Sequence, residues 1–381
     1  MNLAKKLLAV MMNQVSDALW NETSVVMQHL SNAANAYHTL EGSATRSNMG
    51  VSLSDINKWS CGVLAPNGKI YCAPLNSTDI LIIDTVANTA VRSNMGADLS
   101  GTDKWASAAL APNGKIYCIP YNSTDILIID PVANTATRSN MGADLTGFGK
   151  WVGAALAPNG KIYCAPLQST NILIIDTVAN TATRSNMGAD LSGTSKWAGC
   201  SLGSDGKIYS VPFDATDILI IDTVANTATR SNMGASLNGA AKWYGCSIGS
   251  NGNIYGAPLN ATDILIIDPV ANTATRSNMG ASLTGGFAFV GASLMHNGNI
   301  YISPFNSTSV LVIDTVSNSA SLKDFVLSLT DGNKWSAAVL AANGKLYFIP
   351  RNSTDILIID KNTSVLALDI KDCLSPHLNN F

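Results

Sequence analysis

Six tryptophans and one phenylalanine stand at one unbroken spacing of 46 residues: Trp59, Trp105, Trp151, Trp197, Trp243, Phe289 and Trp335. Lys58, Lys104, Lys150, Lys196, Lys242 and Lys334 each immediately precede a tryptophan. Aromatic faces bind sugars and cations, and ammonium groups bind acids, so such a ring is a candidate surface for a glycan or an acidic partner. The same spacing suits a tryptophan wedged as packing between neighbouring units. The spacing alone leaves both readings open.

Other chemistry is sparse. His29, His38, His296 and His377 occupy no recurring position, and no zinc spacing, Cys–His dyad or hydrolase triad can be assembled from local motifs. There is no glycine-rich phosphate loop or EF-hand pattern. No catalytic residue, cofactor or metal is therefore expected. Asp84, Asp130, Asp176, Asp222, Asp268, Asp314 and Asp360 recur before a turn, where a carboxylate serves best as acceptor for backbone N–H groups. The recurring Tyr71, Tyr117, Tyr163, Tyr209, Tyr255, Tyr301 and Tyr347 read as packing residues. Glycosylation sequons fall at Asn76, Asn122, Asn260, Asn306 and Asn352, but Gln168 and Asp214 hold the same slot, so a turn preference explains the set.

The elements that would position these residues follow from the punctuation of one unit. After Trp59 comes Cys61 to Leu64, then Ala65-Pro66-Asn67-Gly68, whose Asn-Gly pair is a strong hairpin signal. A second strand, Lys69 to Ala73, ends at Pro74, which cannot donate to a ladder. Ile80-Leu81-Ile82-Ile83 is continuously apolar, as in a strand buried on both faces, and Thr89 to Met95 forms a fourth, more polar strand. Four short antiparallel strands per 46 residues, repeated seven times without a helix, predict an all-β, seven-bladed β-propeller. Small residues in the first strand, such as Ser107-Ala108-Ala109, suit the crowded position next to the axis.

Ala65-Pro66-Asn67-Gly68-Lys69-Ile70-Tyr71 followed by Ile80 to Thr89 resembles the YVTN-type β-propeller repeat of surface proteins, and the pattern covers all seven units. The resemblance implies the blade and says little of function. Ring closure has two candidates. Ala44 to Met49 copies the fourth strand and would clasp the last blade beside Asp355 to Ile359, while Ser364 to Leu368 offers a competing strand.

Residues 1–40 do not repeat. Leu3, Leu7, Met11, Val15 and Leu19 step by four, and Val26 to Leu40 continue a helical period, so a short N-terminal helical segment with an apolar docking face is expected. The division expected is 1–40 for the helices, 41–370 for the propeller and 371–381 for a tail. A protein partner or assembly is expected through residues 1–40.

Charged residues make up only 13% of the chain and the net charge is −3, with no basic cluster to engage phosphates, so nucleic acid is not an expected partner. No apolar run is long enough for a transmembrane span. The apolar run from Leu7 to Met12 is short for a signal peptide. Cys72, Cys118 and Cys164 share one repeat position that elsewhere holds Ser210, Gly256, Ile302 and Phe348. That is a packing site and not half of a disulfide, and a reduced-thiol compartment or a virion is expected over signal-peptide secretion. Near-identity among blades argues against a catalytic site, which needs unlike loops. The expectation is a non-enzymatic interaction or structural module of a virion, phage tail or cell surface. A lectin-like propeller is the alternative. An enzyme, such as a lyase or glycosidase, would have only the irregular stretches 287–296 and 323–331 to build on.

Overall fold

The computed structural model describes residues 42–360 apart from 326 and 328. Among them are twenty-eight strands, from β1 (Ser43–Ser47) to β28 (Ile356–Asp360), and no helix. They form seven four-stranded sheets. In the first blade β2 (Trp59–Leu64), β3 (Lys69–Pro74), β4 (Ile80–Asp84) and β5 (Thr89–Ser93) lie in simple antiparallel order. The all-β, seven-bladed propeller expected from the repeat is the fold observed. The fourth strand is shorter than expected. It stops at Ser93, whose Oγ accepts the Met95 N–H at 3.1 Å, and Met95 turns out of the ladder at a φ of 50°.

The last blade is closed by the beginning of the ring. Its order is β1, β28, β27 (Leu346–Pro350), β26 (Trp335–Leu340), so the strand copied from the fourth-strand pattern completes it. The competing stretch Ser364 to Leu368, the helices expected in 1–40, with Leu3, Leu7, Met11, Val15 and Leu19, and the tail 371–381 lie outside the described residues.

Each core is shared between two blades. Ile80 and Ile82 of β4 pack with Trp105, Ile116 and Leu127 of the following blade. Leu81 and Ile83 point the other way, onto Trp59, Ile349 and Ile356. Alternation along a strand sends successive side chains to opposite faces, so a run apolar at every position is what a sheet packed on both sides requires. The half-buried Asp84 ends the strand: its Oδ1 accepts the N–H groups of Val86 and Ala87 at 3.1 and 2.8 Å, and its Oδ2 lies 3.1 Å from Lys69 Nζ.

At the axis the first strands approach too closely for side chains on one side of the ring. Gly153, Gly199 and Gly245 have φ of 96°, 104° and 86°, and a Cβ on Gly199 would lie 2.6 Å from the Gly245 Cα. Their ladders skip there, passing from Trp197↔Pro212 directly to Cys200↔Ser210. Gly199→Ala combines a disfavoured φ with a backbone clash and is expected to destabilise the ring by about 3 kcal/mol, read as a lowered denaturation midpoint; an unchanged midpoint would show that the axis can relax.

The N–H of Ala87 first, then Lys69, holds the Asp84 carboxyl below its usual range, and the N–H groups of Ala133, Ala179 and Ala225 lead the same effect at Asp130, Asp176 and Asp222. A depressed folded-state pKa means stability that is complete above the unfolded carboxylate value of about 3.9 and lost as pH falls through the folded values. Replacing the four by Asn keeps the acceptor and removes the titration. The acid limb of a melting-temperature profile should flatten, and an unaltered limb would place acid sensitivity elsewhere.

Candidate functional site

Adjacent blades are joined by a corner at the residue before each ring aromatic. The Lys104 N–H donates to the Leu75 carbonyl of the preceding blade at 3.0 Å, while its own carbonyl accepts from Tyr121 at 2.8 Å and Ser123 at 3.3 Å. The ammonium repeats the connection: Lys104 Nζ donates to the carbonyls of Leu75, Ser77 and Gly101 at 3.0, 3.1 and 2.8 Å. Lys58 does the same across the closure, from Nζ to the Arg351 and Ser353 carbonyls at 2.9 and 3.2 Å. In the sixth blade Ala288 replaces the lysine, yet its N–H still reaches the Leu259 carbonyl at 2.8 Å.

These corners settle where the expected aromatic and basic ring lies. Trp59, Trp105, Trp151, Trp197, Trp243 and Trp335 are completely buried, and Phe289 is 3% exposed. Each indole N–H is used internally, as from Trp59 Nε1 to the Asp79 carbonyl at 2.8 Å. Each tryptophan of the ring is covered by an arginine, as Arg92 lies over Trp59 at 5.5 Å and pairs with Asp79 at 3.2 Å. Lys58, Lys104, Lys150, Lys196, Lys242 and Lys334 are buried as well. Desolvation draws their ammonium groups down to about 8, so at pH 7 each keeps three N–H donors for its carbonyls. Of the two readings of this ring, the packing one describes its geometry, because a side chain without exposed surface offers no face to a sugar or an acidic partner.

The sequon slot has a structural task too. Asn76 Oδ1 accepts the Asp103 N–H of the next blade at 2.6 Å, Asp214 Oδ1 accepts Ala241 N–H at 2.6 Å, and Gln168 Oε1 accepts Ser195 N–H at 3.3 Å. An acceptor on a side chain of suitable reach is what the slot demands, which Asn, Asp and Gln all meet. Tyr71 likewise works in the blade, its hydroxyl accepting from Asn67 Nδ2 at 3.0 Å. Among the described residues no cluster of three metal-ligating side chains occurs.

The concave site is at the axis, on the face where these corners sit. A cavity of about 290 Å³ opens there. Its wall comes from the position after the recurrent proline, which reads Leu75, Tyr121, Leu167, Phe213, Leu259, Phe305 and Arg351 around the ring. Ser60, Ala106, Tyr244, Val290 and Ser336, from the second position of the innermost strands, form its floor. Asp103 and Phe287 contribute from the rim. Phe287 holds a φ of 58°, a region bulky residues avoid.

Polar groups are few. The Ser60 and Ser336 hydroxyls donate to the Trp105 and Trp59 carbonyls at 2.7 and 2.9 Å, so they serve the scaffold. Tyr244 stands edge-on to Phe213 with ring centroids 6.2 Å apart. Burial pushes its phenol up to about 12, and burial followed by the Asp103 charge raises that of Tyr121. Below lies a smaller cavity of about 150 Å³, lined in part by Cys61, Cys200 and Cys246, whose thiols burial also raises. The six cysteines among the described residues are unpaired.

Of the mouth residues only Phe287 and Val290 fall in a stretch that the sequence marks, the irregular 287–296. The available signal was divergence within the repeat. Ile-Leu-Ile-Ile-Asp recurs unchanged at 80–84, 126–130, 172–176, 218–222 and 264–268, while the mouth position takes Leu, Tyr, Phe or Arg.

No family model and no curated protein matches the chain. Solved structures do. A streptogramin B lyase is 14% identical with a TM-score of 0.66, covering 84% of this chain and 97% of its own. A catalytically inactive virginiamycin B lyase from Staphylococcus aureus with quinupristin is 11% identical with a TM-score of 0.67, covering 84% and 99%. The WD40 β-propeller domain of Doa1 is 11% identical with a TM-score of 0.60, covering 86% and 99%. At these identities the likeness is one of fold.

Lys104→Met keeps the aliphatic stem and removes the ammonium, leaving the Ser77 and Gly101 carbonyls without their donor. A loss of about 2 kcal/mol in urea unfolding is expected. No loss would mean that the backbone corner alone joins the blades, as it does at Ala288.

Proposed function

We propose that this chain is a non-enzymatic recognition propeller, held in a larger assembly through residues 1–40, which engages its partner at the axial mouth. One observation carries the reading: the side chains that differ from blade to blade at a backbone-locked position are gathered around the mouth cavity. The recurrent Trp, Lys, Asp and Asn side chains, by contrast, hold the ring together. An apolar, concave surface with a few charged groups is the usual form of a binding site. Such a module fits a structural or adhesive part of a virion, phage tail or cell surface.

The raised phenol pKa values favour the neutral form of Tyr121 and Tyr244, which suits hydrogen bonding and opposes proton abstraction at neutral pH. The lyase or glycosidase alternative therefore gains no base from them. The lectin-like alternative would rest on Tyr121, Phe213 and Tyr244, since the tryptophan faces are enclosed.

The repeat supplies a clean test. Tyr121→Leu, Phe213→Leu, Tyr244→Ala and Arg351→Leu each install a residue already present at the equivalent position of another blade. The combined variant should melt within about 4 °C of the parent. Having lost the rings of Tyr121, Phe213 and Tyr244, it should bind an apolar aromatic fluorescent dye that stacks on them several-fold more weakly, and equal dye binding by parent and variant would remove the mouth as the recognition site. Light scattering of the full chain against Leu7→Glu/Met11→Glu reads the anchor. A monomer in both cases would refute the assembly role.

A further inference from the structure

Resting on the reading of the mouth as a binding site, we propose that its ligand is a free amino acid with a bulky apolar side chain. Its carboxylate would be held by Arg351 and its ammonium by Asp103.

Arg351 is the one basic residue lining the cavity, at a position where the other blades carry Leu, Tyr or Phe. Its orientation is fixed from two sides. Nε donates to Asn57 Oδ1 at 3.0 Å, and the guanidinium lies over the Phe305 ring at 5.3 Å. No acceptor among the described residues takes its Nη atoms, which leaves the part of the fork that matches a carboxylate unused.

Asp103 is the one acidic residue lining the cavity. The equivalent rim position holds Asn57, Gly149, Ser195, Ala241, Phe287 and Asn333, so the charge belongs to this blade alone. Its backbone is secured by the 2.6 Å bond from its N–H to Asn76 Oδ1, while its carboxylate has no hydrogen bond or ion pair among the described residues. Both charges act on one phenol, that of Tyr121, the acid raising its pKa and the guanidinium lowering it.

Two opposite charges with free valences at one apolar mouth select a ligand bearing both. A plain anion meets Asp103 and a plain cation meets Arg351, whereas a zwitterion satisfies each. The rest of the wall, including Leu167, Leu259 and the edge-to-face pair Phe213 and Tyr244, suits an apolar side chain. A cavity of about 290 Å³ holds one small molecule.

Calorimetric titration of the full chain with L-phenylalanine, 3-phenylpropionate and 2-phenylethylamine separates the two charges. L-phenylalanine should bind about tenfold or more tightly than either truncated compound, the usual worth of a charge-assisted bond. Arg351→Leu should erase the preference over 2-phenylethylamine and keep that over 3-phenylpropionate. Asp103→Asn should do the reverse. Both variants carry residues that other blades already hold there, as in Leu75 and Asn57, so misfolding is not the expected cause of a loss. Equal affinities for all three compounds, or variants that leave the preferences intact, overturn the proposal. If the mouth binds the apolar dye while ignoring these charges, only the amino-acid assignment fails. If it binds neither dye nor any of the three compounds, the recognition reading fails with it.

Discussion

The ring depends on a hydrogen-bonded corner that uses main-chain atoms of a single residue to hold two sheets. At Lys104 the N–H is bound to one blade and the carbonyl to the next, and the same exchange recurs at each junction, including the one closing onto Arg351. Separate sheets share no ladder, so packing alone would leave their relative tilt loosely set. The corner fixes it with directional bonds, and the buried ammonium and the Asn76-type acceptor add two more in the same place. Ala288 shows the order of importance: the lysine can be absent while the backbone exchange persists.

That arrangement also explains how a repetitive chain can carry an individual site. The residues after the recurrent proline have both backbone groups engaged by neighbouring corners, as at Leu75, whose N–H goes to Lys58 and whose carbonyl goes to Lys104. Because the main chain is held there regardless of side chain, Leu, Tyr, Phe and Arg are all accommodated. Diversity is free at the one place where seven side chains converge. The third strand of each blade has no such freedom, since a run such as Ile80 to Ile83 is gripped on both faces.

The fold was legible because its determinants are periodic. The hairpin Asn-Gly, the Pro74-type strand end and the doubly buried Ile-Leu-Ile-Ile run each act within a few residues, and their recurrence multiplied the signal. The terminal clasp was readable for the same reason, as Ala44 to Met49 is a displaced copy of a known strand. The mouth was legible only at Phe287 and Val290, where the repeat breaks down, because the residues that repeat are the internal fastenings. Trp59 and Lys58 looked chemical by type, but burial is a tertiary property that their spacing does not encode. Arg351 and Asp103 each occur once at their repeat positions, and only the closed ring brings them to one cavity.

Closure by β1 has a mechanical side. Residue 42 and residue 360 flank strands of one sheet, so both exits of the ring are on the same blade. A load applied between the two ends would be borne by the β1–β28 hydrogen bonds and would bypass the other six blades. The blade that contributes Arg351 would be the first to feel it, which places the guanidinium of the mouth on the one blade that, among the described residues, is completed without a peptide link between its third and fourth strands.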